Sequence, residues 1–80
     1  MKRYFYYIAF VKDVENDQKE HVIHGVADFD HKTARLKYAA VSKHLMREYK
    51  VPFSNVAILS LDEIDKEDWE TLQAIKKDGD

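Results

Sequence analysis

The chain has 80 residues, 13 Lys or Arg against 15 Asp or Glu for a formal charge of −2, 45% hydrophobic residues, two Gly, one Pro and no Cys. That length fits one domain with a modest core, burying roughly 60% of the surface its unfolded chain exposes, and the composition is that of a folded domain rather than a disordered tail or linker. A disulfide framework, a thiol nucleophile and a cysteine zinc site are excluded, and the cytoplasm is the expected compartment.

The start, Met1-Lys2-Arg3 before the apolar run Tyr4–Val11, imitates a signal peptide. Lys12 and Asp13 end the run without a small-residue cleavage site, and its bulky aromatics suit a strand better. No stretch reaches the ~20 apolar residues that a membrane-spanning helix needs. Tyr4–Val11 is therefore predicted as a first strand and His21–Phe29 as a second, joined by the polar segment Asp13–Glu20 with Asn16-Asp17 at a hairpin tip. That tip sets a register with Phe10 opposite Ile23, Ile8 opposite Gly25, Tyr6 opposite Ala27 and Tyr4 opposite Phe29 on a core-facing side. The other side then holds Val11 with Val22, Ala9 with His24, Tyr7 with Val26 and Phe5 with Asp28.

Asp30 is placed to cap a helix running to about Tyr49, closed by Pro52. At helical spacing Ala34, Tyr38, Val41, Leu45 and Tyr49 form its apolar stripe, with Lys32, Arg35, Lys43, Arg47 and Lys50 roughly opposite. Val56–Leu61 is a third strand. A last helix is expected after Asp65, with Asp68 reaching back to the cap, Ile64 and Trp69 as a hydrophobic staple, and a narrow stripe of Trp69, Leu72 and Ile75 that packs beside the first helix. The fold class expected is α+β: one small ββαβα domain spanning residues 1–80, a three-stranded sheet in the order 2-1-3, a long helix on one face and a short C-terminal helix. Its core is expected to contain Tyr6, Ile8, Phe10, Tyr38, Val41, Leu45, Leu59 and Trp69.

Charge is sorted along this order. Residues 31–50 hold six cations against the single acid Glu48, whereas residues 62–80 hold eight acids against Lys66, Lys76 and Lys77. Two oppositely charged surfaces follow, each suited to a different partner.

Residues that carry chemistry are sparse. Asp13, Glu15 and Asp17 have calcium-loop spacing, but Gln18 stands where the turn wants Gly and His24 where a bidentate Glu is needed. His21 and His24, three apart on a strand, point to opposite faces and cannot share a metal. Ser42, Ser54 and Ser60 lack a nucleophile elbow or a nearby base, no Gly-rich phosphate loop is present, and Asp65 with Asp68 is explained by capping. No catalytic residue, metal ligand or cofactor is expected. The basic helix face of Lys32, Arg35, Lys43, Arg47 and Lys50 is the alternative, a phosphate-binding surface for nucleic acid, although it lacks aromatic or Gly interleaving.

The segments MKRYFYYIAFV, HVIHGVADFD, TARLKYAAVSKHLMREY and NVAILSLDEI together resemble small single-domain proteins of phages, prophages and mobile elements. The resemblance is architectural and implies an accessory protein that binds a host or phage macromolecule. The leading expectation is thus a non-enzymatic protein-binding or regulatory module that pairs with itself or with a protein partner, and not with a membrane. Its interface is expected on the second sheet face: Phe5, Tyr7, Ala9, Val11, Val22, His24, Val26, Val56 and Ile58, a surplus of apolar surface that something should cover.

Overall fold

The computed structural model describes residues 1–14 and 19–79, the side chains of 77–79 excepted. The aromatic run at the start forms strand β1 (Lys2–Lys12), which pairs antiparallel with β2 (Glu20–Asp30) on one side and with β3 (Val56–Ile64) on the other. The sheet order is β2-β1-β3, as the sequence leads one to expect. The Asn16-Asp17 tip and most of the calcium-like segment lie outside the described residues. On the near side of that segment the Asp13 amide donates to the Lys19 carbonyl at 2.7 Å.

The β1–β2 register differs by one residue from the expected one. Tyr7 stands opposite Gly25 rather than Val26, Phe5 opposite Ala27 rather than Asp28, and Ala9 opposite Ile23 rather than His24. Because side chains alternate, a one-residue slip exchanges which residues share a face. The observed register also matches large to small, but on the odd-numbered residues of β1. It removes Asp28 from beside Phe5 and sets it opposite Tyr4, where the Lys2 ammonium reaches its carboxylate at 3.2 Å. At this position the charge keeps both water and a partner.

Phe5, Tyr7, Ala9 and Val11 are consequently the core face of β1, and all four are buried together with Val56 and Leu61 of β3. Phe5, Tyr7, Ala9, Val11 and Val56, expected at an intermolecular interface, instead meet Ala34, Val41, Leu45 and Val51. Ile58 packs against the same cluster. Each large apolar side chain removed from water here contributes about 1.5–3 kcal/mol. Tyr6, Ile8 and Phe10, expected in this core, are half-buried on the other face.

The helix after β2 starts where Asp30 predicts: its carboxylate accepts from the Thr33 amide at 2.7 Å. It is broken, however, into α1 (His31–Ala34) and α2 (Lys37–Tyr49) by a turn at Arg35-Leu36, with Leu36 at φ −115°, ψ 42°. Ala34 of α1 and Val41, Ser42 and Leu45 of α2 are the buried positions of the two helices and face the sheet. Tyr38, expected in the core because it lies seven residues before Leu45 on the same stripe, is 57% exposed in the first turn of α2. The α2 C-terminus closes through Lys50 in the left-handed region (φ 55°), a conformation usually given to Gly. Pro52 and a 3-10 turn over Phe53–Asn55 then lead into β3.

β3 is longer than Val56–Leu61, extending to Ile64, and its pairing with β1 shifts between Ile8 and Ala9. Ser60 stands opposite Ile8 and Ile58 opposite Ala9, which leaves Leu59 as the extra residue of a bulge. Unpaired there, Leu59 is 59% exposed rather than in the core.

The last helix, α3 (Lys66–Gly79), follows Asp65 directly, and the Asp65 carbonyl accepts from the Trp69 amide at 3.0 Å. It does not pack beside the first helix. It crosses the opposite sheet face, where Trp69 meets the ring of Tyr4 at 4.9 Å between centroids. The domain is thus three layers: α1 and α2, the sheet, then α3. Charge follows the layers, basic on α1 and α2 and acidic around the start of α3.

Two acids contribute to acid stability. Glu63 takes a fork of hydrogen bonds from Arg3, Nε at 3.0 Å and Nη2 at 2.7 Å, and this pairing holds its carboxyl below the usual range. Bonding to the Thr33 amide does the same for Asp30. A lowered folded-state pKa contributes stability that is in place above the unfolded value and is lost as pH falls through the folded one. Thermal melts below neutral pH should therefore show a shallower acid decline for an Asp30→Asn, Glu63→Gln double variant than for the parent; parallel curves would remove these two groups as the cause.

Candidate functional site

The sheet face under α3 holds the even-numbered residues of β1. Tyr4 is covered by Trp69, and Tyr6 lies beside Leu72 and Ile75 around a cleft of about 300 Å³ floored by Gly25 and Val26. Tyr6 Oη lies 3.3 Å from His24 Nδ1. A second cleft of about 420 Å³, on the other side of Leu72, carries Asp62, Asp68 and Thr71. The Trp69 indole Nε1 is buried, with no hydrogen-bond partner among the described residues. Ile75 remains 60% exposed.

Farther along this face Phe10 stands opposite Val22 on one side and Ala57 on the other, and Ile8 opposite His24 and Ser60. Val22 is 66% exposed. Of the residues expected at an interface, Val22, His24 and Val26 lie on this face, while Phe5, Tyr7, Ala9, Val11, Val56 and Ile58 belong to the helix-covered side. The surface is smaller than expected because α3 covers one end of it and because the register puts the odd-numbered residues inside.

The basic face is exposed, as its periodicity predicts: Lys32, Arg35, Lys43, Arg47 and Lys50 all reach solvent. Among the described residues none of the five has an ion pair or a side-chain hydrogen bond. His44 differs, with Nε2 3.3 Å from Glu48 one turn on. The feature that periodicity alone did not reveal is a groove of about 530 Å³ along this face. Its apolar floor is Phe29, Leu36, Ala39 and Ala40; Lys32, Lys43 and Arg47 rim it. The sequence signal was the spacing: Leu36 to Ala40 and Ala39 to Lys43 are each four apart, setting an apolar ridge beside a basic one.

Burial pushes the Tyr7 phenol up from its ordinary value, with Glu48 and Tyr49 adding to the shift. Tyr7 is a packing residue on the helix-covered side. Among the described residues no three His, Asp or Glu side chains converge in a way that could hold a metal. No helix of the described residues is long and apolar enough to cross a membrane. Comparison with known proteins finds no matching family model and no similar curated protein or solved structure.

Proposed function

We propose that the chain is a non-enzymatic protein-binding module of the cytoplasm, an accessory protein that pairs with itself through the open end of the sheet face that α3 partly covers. The observation that carries this reading is the exposure of Val22 beside Phe10, apolar surface on a strand that is also a sheet edge. β2 has 11 residues and no Pro or Lys, and its acids Glu20, Asp28 and Asp30 stand toward its two ends, which leaves the stretch from His21 to Ala27 open to another strand. Two copies meeting β2 to β2 about a two-fold axis continue the sheet and join their Val22 and Phe10 patches. A two-fold contact needs one surface only, which makes a second copy the most economical partner.

Light scattering tests the proposal, using Val22→Lys because the side chain is exposed and its replacement leaves the core intact. The parent chain is expected at twice the 9.5 kDa chain mass and the variant at once that mass, with unchanged far-ultraviolet circular dichroism. A parent that remains a single chain at millimolar concentration, or a dimer indifferent to Val22→Lys, defeats it.

A further inference from the structure

We infer that the groove along α2 is a second interaction surface, built to receive an acidic amphipathic helix of a protein partner. The groove has both halves of the complement such a helix needs. Its floor is apolar, and Leu36 is 69% exposed within it, held out by the turn between α1 and α2. Ala39 and Ala40 beside it are small enough for a partner helix to approach closely. Its rim carries Lys32, Lys43 and Arg47, whose charges are unmatched among the described residues.

Charge and shape together select the occupant. Unpaired cations on one surface attract an anion of any kind, so they alone do not separate protein from nucleic acid. The floor separates them. Single-stranded nucleic acid favours exposed aromatic faces on which bases stack, yet Phe29 is half-buried with its ring 5.9 Å from that of Phe5, and the other ring lining the groove, His44, turns to Glu48 at 3.3 Å; a duplex bound through its phosphates would leave the exposed Leu36 without a role. An aliphatic floor with a cationic rim instead matches a helix with apolar residues three and four apart flanked by Glu or Asp, the mode in which an amphipathic helix lies in a groove. α2 has 13 residues and so runs about 20 Å, which sets the partner helix at about four turns.

The test selects peptides of about sixteen residues, roughly four helical turns, from a random display library on the full chain, and measures the best binders by fluorescence anisotropy. Expected are sequences with acids flanking apolar residues at helical spacing, binding that weakens at least about tenfold, some 1.4 kcal/mol, in both Leu36→Ser and Lys43→Glu with Arg47→Glu. Shuffled peptides of the same composition should bind as weakly. Every altered side chain is exposed, so the variants should fold as the parent does, and matching melting temperatures confirm it. Selection of neutral or basic peptides, no selection above background, or equal binding of shuffled peptides each overturns the inference. So does tighter binding of a single-stranded or duplex oligonucleotide that survives Leu36→Ser, which makes the face a phosphate-binding surface.

Discussion

Phe5→Ala should destabilise the domain by about 3–5 kcal/mol, and Phe10→Ala, five residues along the same strand, by only about 1–2 kcal/mol. Phe5 is fully buried and sits against Phe29, Ala34 and the α2 stripe, so its loss leaves a cavity that a close-packed core cannot collapse to fill. Phe10 is half-buried on the other face, so part of its ring is already in water. A domain this small holds about 4–12 kcal/mol in total. Phe5→Ala therefore removes a large share of the stability and Phe10→Ala a small one. Urea midpoints of the two variants measure the difference. Because the two residues exchange roles if the sheet is turned over, equal costs, or a larger cost for Phe10, would show that the other face of β1 is the core.

That contrast also marks where the sequence stopped being informative. Strand and helix identities were legible because each depends on a local run: β-formers from Tyr4 to Val11, an N-cap at Asp30, and the apolar spacing that buries Val41 and Leu45. The order β2-β1-β3 followed from connection rules. The face of β1 did not follow, because both of its faces are apolar and period-two patterning has nothing to choose between. The decision lay in the partner strand. Gly25 gives a tyrosine ring room across the strand pair, which pointed to the observed register; an acid opposite Phe5 does not decide it, since Glu63 of β3 stands there and reaches Arg3. The break in the helix was hidden for another reason: the turn at Arg35-Leu36 has no Gly or Pro to announce it. Leu36, Ala40 and Lys43 share one face by helical spacing alone, so the apolar floor of the basic face was legible, whereas the exposure of Tyr38 was not, since Tyr38 shares a stripe with Leu45. α3 was misplaced because Trp69, Leu72 and Ile75 are compatible with either layer, and only the exposed Tyr4 and Tyr6 on the far face required a cover.

Gly25→Ala should destabilise the domain by about 1–3 kcal/mol, as overpacking does, although the same change at an unobstructed strand position would stabilise by about 0.4–1 kcal/mol. The sign is thus the test. A Cβ on Gly25 would stand 2.6 Å from Tyr7 Oη and 2.8 Å from its Cζ, closer than carbon approaches either atom. Gly25 has no left-handed backbone to protect, so the demand for glycine comes from the tyrosine across the strand pair. The Tyr7 ring cannot swing aside cheaply, because it is buried among the residues that pack β1 against α2. Replacing Tyr7 by Leu shortens the side chain and opens the space that the alanine methyl needs. The two changes together should then cost less than the sum of each alone by about 1 kcal/mol or more, as expected of residues in contact. Denaturant unfolding of the two single variants and the double variant measures that coupling. Additive costs would mean that Gly25 is required for some reason other than the ring of Tyr7.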